Sequence, residues 1–246
     1  MSNPANAQVT ELQPVDAALD YSARGILVAP VHWPIPVTTP DQDQHSDGGQ
    51  DAPEQPTLVC SCKHGAACPL PAQHLITGCL SDATTNARRI IEWWTGMPEA
   101  NIATPAGLSF DVLECTHPGS IAPLLAWLSA YGLKPGPILT DGDGQLRFPV
   151  RNPHPGGPRA HHGQHLRHLR CLDYGTPVLL PPSRLINDRK VVWLRPFDDS
   201  IVLLPDGDRL FNVLARLPDA DELDRRYASQ VAQRQPTGGI PLSGAW

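Results

Sequence analysis

The chain has 246 residues, a formal net charge of −6, 41% apolar and 18% charged residues, and 28 prolines. That length can bury a real core, the acidity argues against a protein that coats polyanions generally, and the prolines predict short elements separated by rigid turns. There is no run of about 18 apolar residues to span a membrane, and the opening MSNPANAQVTELQPVD lacks the basic start and apolar centre of a signal peptide, so a cytoplasmic protein is expected.

In chain order, PVDAALDYSARG is predicted as a helix. Pro14 suits its first turn, Val15, Ala18, Leu19 and Ser22 share a face, and Gly25 can close it. ILVAPV follows as a short buried strand. From Thr38 to Thr57 no large aliphatic or aromatic residue occurs, and the stretch is acidic and rich in Gly and Pro, so residues 38–57 are expected to form a disordered loop.

Directly afterwards comes CSCKHGAACPLPAQH, with the spacing Cys60-x-Cys62-x5-Cys68-x5-His74. Clustered cysteines in a cytoplasmic chain read as metal ligands before disulfides. Three thiolates and one imidazole make a closed tetrahedral set for a structural Zn²⁺, with no position left for water or substrate. His64 is a rival fourth ligand, constrained by standing two residues from Cys62. The plainer alternative is a chance cluster of reduced surface thiols. Cys79, Cys115 and Cys171 stand alone and read as buried apolar thiols.

A second helix is expected after Thr84 or Thr85, with Ala87, Ile90, Ile91 and Trp94 on its apolar face and Gly96 and Pro98 at its end. Trp93 reads as a partly exposed packing residue, with base stacking as the rival role. LSFDVLEC reads as a strand and SIAPLLAWLSAYG as a helix. GPILT, QLRFPV, TPVLLP and KVVWLRP read as strands, and PDADELDRRYASQV as a polar C-terminal helix before a loose tail. Helices and strands interleave, yet several strands follow one another directly, so an α/β (α+β) domain on a mixed sheet is predicted. One segment is basic. RNPHPGGPRAHHGQHLRHLR carries Arg151, Arg159, Arg167 and Arg170, five histidines and no acid. It could grip phosphates, more strongly as the histidines protonate, bind metal adventitiously, or be a solvated loop.

ALDYSARGILVAPV, the Cys/His knuckle, DATTNARRIIEWWTGMPEANIATPAGL, and LDYGTPVLLPPSR followed by VVWL together resemble the bifunctional DNA primase/polymerase (prim-pol) domain of the archaeo-eukaryotic primase superfamily. The resemblance runs from about Ala17 to about Pro196. It implies an RRM-like mixed sheet with flanking helices, preceded by a small α/β unit that carries the zinc-knuckle insertion. The expected domain is 1–217, with the knuckle at 58–78, and 218–246 is a C-terminal helix and tail. The resemblance also implies template-directed nucleotidyl transfer with Mg²⁺ or Mn²⁺, DNA or nucleotide as partner, and any helicase or replication partner on a separate chain.

Three motifs would carry the chemistry: D-x-D on one strand, a histidine that holds the incoming phosphates on a neighbouring strand, and a third carboxylate on a later one. Two-metal catalysis needs those carboxylates to converge from one sheet face. Aligned from Gly107-Leu108, the D-x-D positions fall on Val112 and Glu114; aligned on Asp111, the partner is Leu113. Asp111 and Glu114 stand three apart, so an unbulged strand points them to opposite faces. The histidine position falls on Leu146 or Gln145. Gln145 could donate one neutral hydrogen bond, and Arg147 on the same face could partly replace the lost contact or be a solvated strand residue. Asp173 matches the third carboxylate. The candidate catalytic residues are therefore Asp111, Glu114 and Asp173, the nucleotide- or phosphate-binding candidates Gln145 and Arg147, and the metal ligands Cys60, Cys62, Cys68 and His74. Three functions are open at this point: a degenerate prim-pol protein that binds nucleic acid or nucleotide, an active nucleotidyltransferase with a rebuilt site, and a zinc-stabilised protein-interaction module.

Overall fold

The computed structural model describes residues 12–37, 56–78, 80–115, 121, 125, 129, 132, 136–141, 145–151, 165–166, 169–172 and 174–197. Most of the expected loop 38–57, the C-terminal helix and tail, Cys79 and Asp173 lie outside them. So do most of SIAPLLAWLSAYG and most of the basic segment.

Helix α1 (Pro14–Ala23) starts with Pro14 in its first turn and Asp16 beside the positive end of the helix dipole. It stops at Gly25, whose φ of +77° suits a residue without a side chain, and the Ile26 N–H then bonds back to the Tyr21 carbonyl. The fully buried stripe is Ala17, Ala18 and Tyr21, while Val15 and Leu19 pack only partly against the core. The face read from sequence is thus rotated toward Tyr21. Helix α2 (Ala87–Gly96) is capped by Asn86, not by a threonine: its Oδ1 accepts the Arg89 N–H at 3.2 Å. Ile90 and Trp94 are buried, and Ile91 is 48% exposed. Trp94 donates its ring N–H to the Ala100 carbonyl at 2.9 Å. Trp93 lies nearer the surface with the Arg89 guanidinium 4.8 Å over its ring.

All strand pairings among the described residues are antiparallel. A three-stranded sheet places β4 (Asn101–Pro105) between β1 (Ala29–Val31) and β10 (Pro177–Leu180). A hairpin joins β2 (Pro34–Pro36) to β3 (Leu58–Cys60), and the Val37 N–H to Thr57 carbonyl bond extends it at 2.8 Å. The six-stranded sheet runs β11–β6–β7–β5–β9–β8, from β11 (Val192–Arg195), β6 (Ile138–Thr140), β7 (Leu146–Val150), β5 (Asp111–Cys115), β9 (Leu169–Cys171) and β8 (His165–Leu166). The domain is α+β, with few helices against antiparallel sheets. One buried cluster joins them: Ala18, Ile90 and Trp94 of the helices, Ile102 and Leu180 of the small sheet, and Val112 and Leu139 of the large one. Tyr21 ties the same parts by hydrogen bonds. Its hydroxyl donates to the Pro181 carbonyl at 2.9 Å and accepts the Trp193 ring N–H at 2.8 Å. Burial pushes that phenol up to about 12, against the lowering effect of the Trp193 bond.

Candidate functional site

The knuckle is built from the end of β3. Cys60 closes the strand, opposite Pro34. A turn in which the Gly65 N–H bonds the Cys62 carbonyl leads into a short 3₁₀ turn at Gly65–Ala67, which delivers Cys68. The chain then returns along β1, where the His32 N–H bonds the His74 carbonyl at 3.0 Å. The ligand atoms of Cys60, Cys62, Cys68 and His74 all lie within 4.8 Å of one another. His74 Nε2 stands 3.5 Å from Cys60 Sγ and 3.4 Å from Cys68 Sγ. Around a tetrahedral ion with bonds of about 2.1 Å to nitrogen and about 2.3 Å to sulfur, neighbouring ligand atoms lie about 3.6 Å apart. The four groups therefore fit a metal ion such as zinc. His64, the rival, is exposed and stands outside the set.

The surroundings support that use. The Ala72 N–H donates to Cys60 Sγ at 3.3 Å, as a thiolate ligand favours. The His32 ring lies 4.3 Å from that of His74 and engages Ser61 Oγ at 2.9 Å through Nδ1. Burial, and then the nearby His74, lower the His32 pKa. The thiols differ. Burial alone would raise Cys62, but hydrogen bonds from the His64 backbone and from His74, Cys60 and Cys68 together bring it down to about 6. Burial pushes Cys68 up to about 11 with help from Cys62 and Cys60, although a bond from the Leu70 backbone opposes it. Ligation needs the sulfurs as thiolates, so an incoming metal must displace the thiol protons that remain, that of Cys68 among them. Zinc affinity should accordingly rise at least about tenfold per pH unit from about pH 6 to about pH 8. Competition with a chromophoric chelator across that range checks this, and a flat profile would contradict it.

The second site is a row across the large sheet. The register pairs Trp193 with Leu139, Leu139 with Arg147, Arg147 with Glu114, and Glu114 with Arg170. Partners directly opposite in antiparallel strands share a face. Glu114, only 1% exposed, takes the Arg147 Nε–H on Oε1 at 2.9 Å and the Arg170 Nε–H on Oε2. Arg147 also reaches Asp141 Oδ2 at 3.2 Å. Arg147 is 14% exposed and Arg170 44%. Arg147 is thus a clamped residue rather than a solvated one.

β5 pairs with β7 from Asp111–Val150 to Cys115–Leu146 with no shift in register. Asp111, fully buried, consequently points to the face opposite Glu114, together with Leu113, Cys115, Leu146 and Phe148. The Leu146 side chain lies on that other face too, which leaves Arg147 opposite Glu114 and, by alternation just before β7, the partly exposed Gln145 on the same face as Arg147. Cys115 and Cys171 are buried, as expected.

A family model described as bifunctional DNA primase/polymerase, N-terminal, matches residues 18–219. The chain belongs to this prim-pol family. No curated protein and no solved structure matches it. Of the two registers in which D-x-D could fall, one puts Val112, buried in the main apolar cluster, with Glu114, held between two arginines, and the other puts Asp111 with Leu113 on the opposite face. The cysteine and histidine set is the group among the described residues that could hold a metal ion. Sequence reasoning missed three participants. Arg170 joins Glu114, and Asp141 joins Arg147, only through strand pairing, and Asn101 reaches the knuckle from β4. No local spacing encodes either arrangement. No helix among the described residues is long and apolar enough to cross a membrane.

Proposed function

We propose that this primase/polymerase-like protein keeps the prim-pol scaffold and a structural zinc knuckle, carries a degenerate catalytic site, and works by binding nucleic acid or nucleotide. The observation that carries this reading is the clamp on Glu114. Two-metal nucleotidyl transfer needs a pair of carboxylates facing the same ions. Here one D-x-D position is the apolar Val112, and Glu114 would have to release two guanidiniums before it could take a cation. Asp111 offers no substitute from the opposite face. The half-exposed Arg170, with the Arg- and His-rich sequence from Arg151 to Arg170, supplies cations for phosphate instead.

The test is primer extension on a labelled primer–template with dNTPs and Mn²⁺ or Mg²⁺, run beside fluorescence anisotropy with single-stranded DNA. We expect no extension, and DNA binding that weakens steeply with salt. Extension that disappears in Asp173→Ala would establish a rebuilt active site. Absence of both activities would leave the zinc-stabilised interaction module.

A further inference from the structure

We propose that Asn101 is the joint through which metal binding in the knuckle positions the Ser183–Arg184 segment. Asn101 opens β4 and is 3% exposed. The two hydrogens of its Nδ2 are shared among three backbone carbonyls, one of them bifurcated: His32 at 3.1 Å, Ala72 at 3.0 Å and Arg184 at 2.8 Å. Its Oδ1 accepts the Arg184 N–H at 2.9 Å. Both polar atoms of one side chain are thus committed to the backbones of three separate segments.

Two of those segments belong to the metal centre. The Ala72 N–H bonds Cys60 Sγ, and His32 packs on His74 and bonds its carbonyl. Ala72 also has a φ of +59°, a left-handed conformation that costs an L residue about 1–2 kcal/mol. Such a conformation persists where surrounding bonds over-determine it. Here the N–H is held by a ligand sulfur and the carbonyl by Asn101. The third segment holds on to β4 as well: Ser183 Oγ accepts the Ile102 N–H at 2.9 Å and donates to the Ile102 carbonyl at 3.1 Å. Trp33, Glu99 and Arg184 line a cleft of about 280 Å³ over this joint. Drawing the four ligands around an ion fixes Ala72 and His32, which fix the Asn101 amide, which fixes Arg184 and one wall of the cleft. The coupling rests on the knuckle holding a metal. It is independent of whether the catalytic face is degenerate.

The experiment is ¹⁵N relaxation on the full chain, zinc-loaded and chelator-stripped, with zinc content and affinity measured in parallel. In the loaded wild type, the Ser183 and Arg184 amides should show order parameters of about 0.85, falling below about 0.6 on stripping, while β5 and β7 amides stay rigid. In Asn101→Ala the Arg184 amide should be mobile with or without zinc, and zinc should bind about tenfold more weakly. A side chain that merely stabilised the fold would leave the response of Arg184 to zinc intact. Order at Arg184 that ignores stripping overturns the coupling. So does unchanged zinc affinity in Asn101→Ala, which decides the matter if the stripped wild type unfolds. A chain that takes up no zinc overturns the metal reading and the coupling with it.

Discussion

Cys60→Ser should release the zinc and lower the melting temperature by about 8–16 °C. Cys60 is the fully buried ligand, and its sulfur is also the acceptor for the Ala72 N–H. A serine hydroxyl is a poor zinc ligand and sits too short to span the same site. An ion that binds only the folded chain stabilises it by about 4 kcal/mol when present at about a thousand times its dissociation constant. For a domain of this size, each kcal/mol moves the midpoint by about 2–4 °C. Calorimetry with metal analysis reads both effects. His64→Ala is the control and should change neither, because that ring is exposed and outside the ligand set. A serine variant with full zinc and an unmoved midpoint would sink the assignment.

Glu114→Ala should cost about 3 kcal/mol and at the same time create an anion site. Removing one partner of a buried ion pair typically costs about 3–5 kcal/mol, because the other charge is stranded. The lower end applies here, since Arg170 is 44% exposed and water screens it. Arg147 is the stranded charge, at 14% exposure, although Asp141 still meets it. With the carboxylate gone, two guanidiniums flank one vacated position, a geometry suited to phosphate oxygens. Urea denaturation should therefore show a loss that added phosphate reverses and equal ionic strength of chloride does not. Single-stranded DNA should also bind the variant more tightly than the wild type. Unchanged stability, or no selectivity for phosphate, would show that the clamp carries little energy.

Much of this was readable from short-range pattern. Helix α1 is announced by Pro14 and Gly25, and the metal ligands by thiol spacing, because in both cases the partners lie within one turn or one loop. β4 escaped because NIATP has neither alternation nor an aliphatic run. It is a strand because it lies buried between β1 and β10, and its proline sits at the last position, where one missing N–H is tolerated. The hairpin of PIP with LVC escaped for a similar reason, since prolines on a short outlying hairpin hide a strand. The buried side of α1 was read too far from Tyr21, whose burial depends on Pro181 and Trp193 far along the chain. The opposed directions of Asp111 and Glu114 did follow from the period of a strand. What held Glu114 did not, because Arg147 and Arg170 stand 33 and 56 residues away and meet it only through register.

The bond between Val37 and Thr57 has a consequence for how this chain can vary. That bond holds the two ends of the connection together, and for a flexible connection between fixed ends length enters the free energy through closure entropy. Doubling such a connection adds only about 0.6 kcal/mol. The knuckle, anchored below that bond by β3 and by the return along β1, does not register the difference. A change of length between Val37 and Thr57 is therefore expected to leave the pairing of β2 with β3 in place.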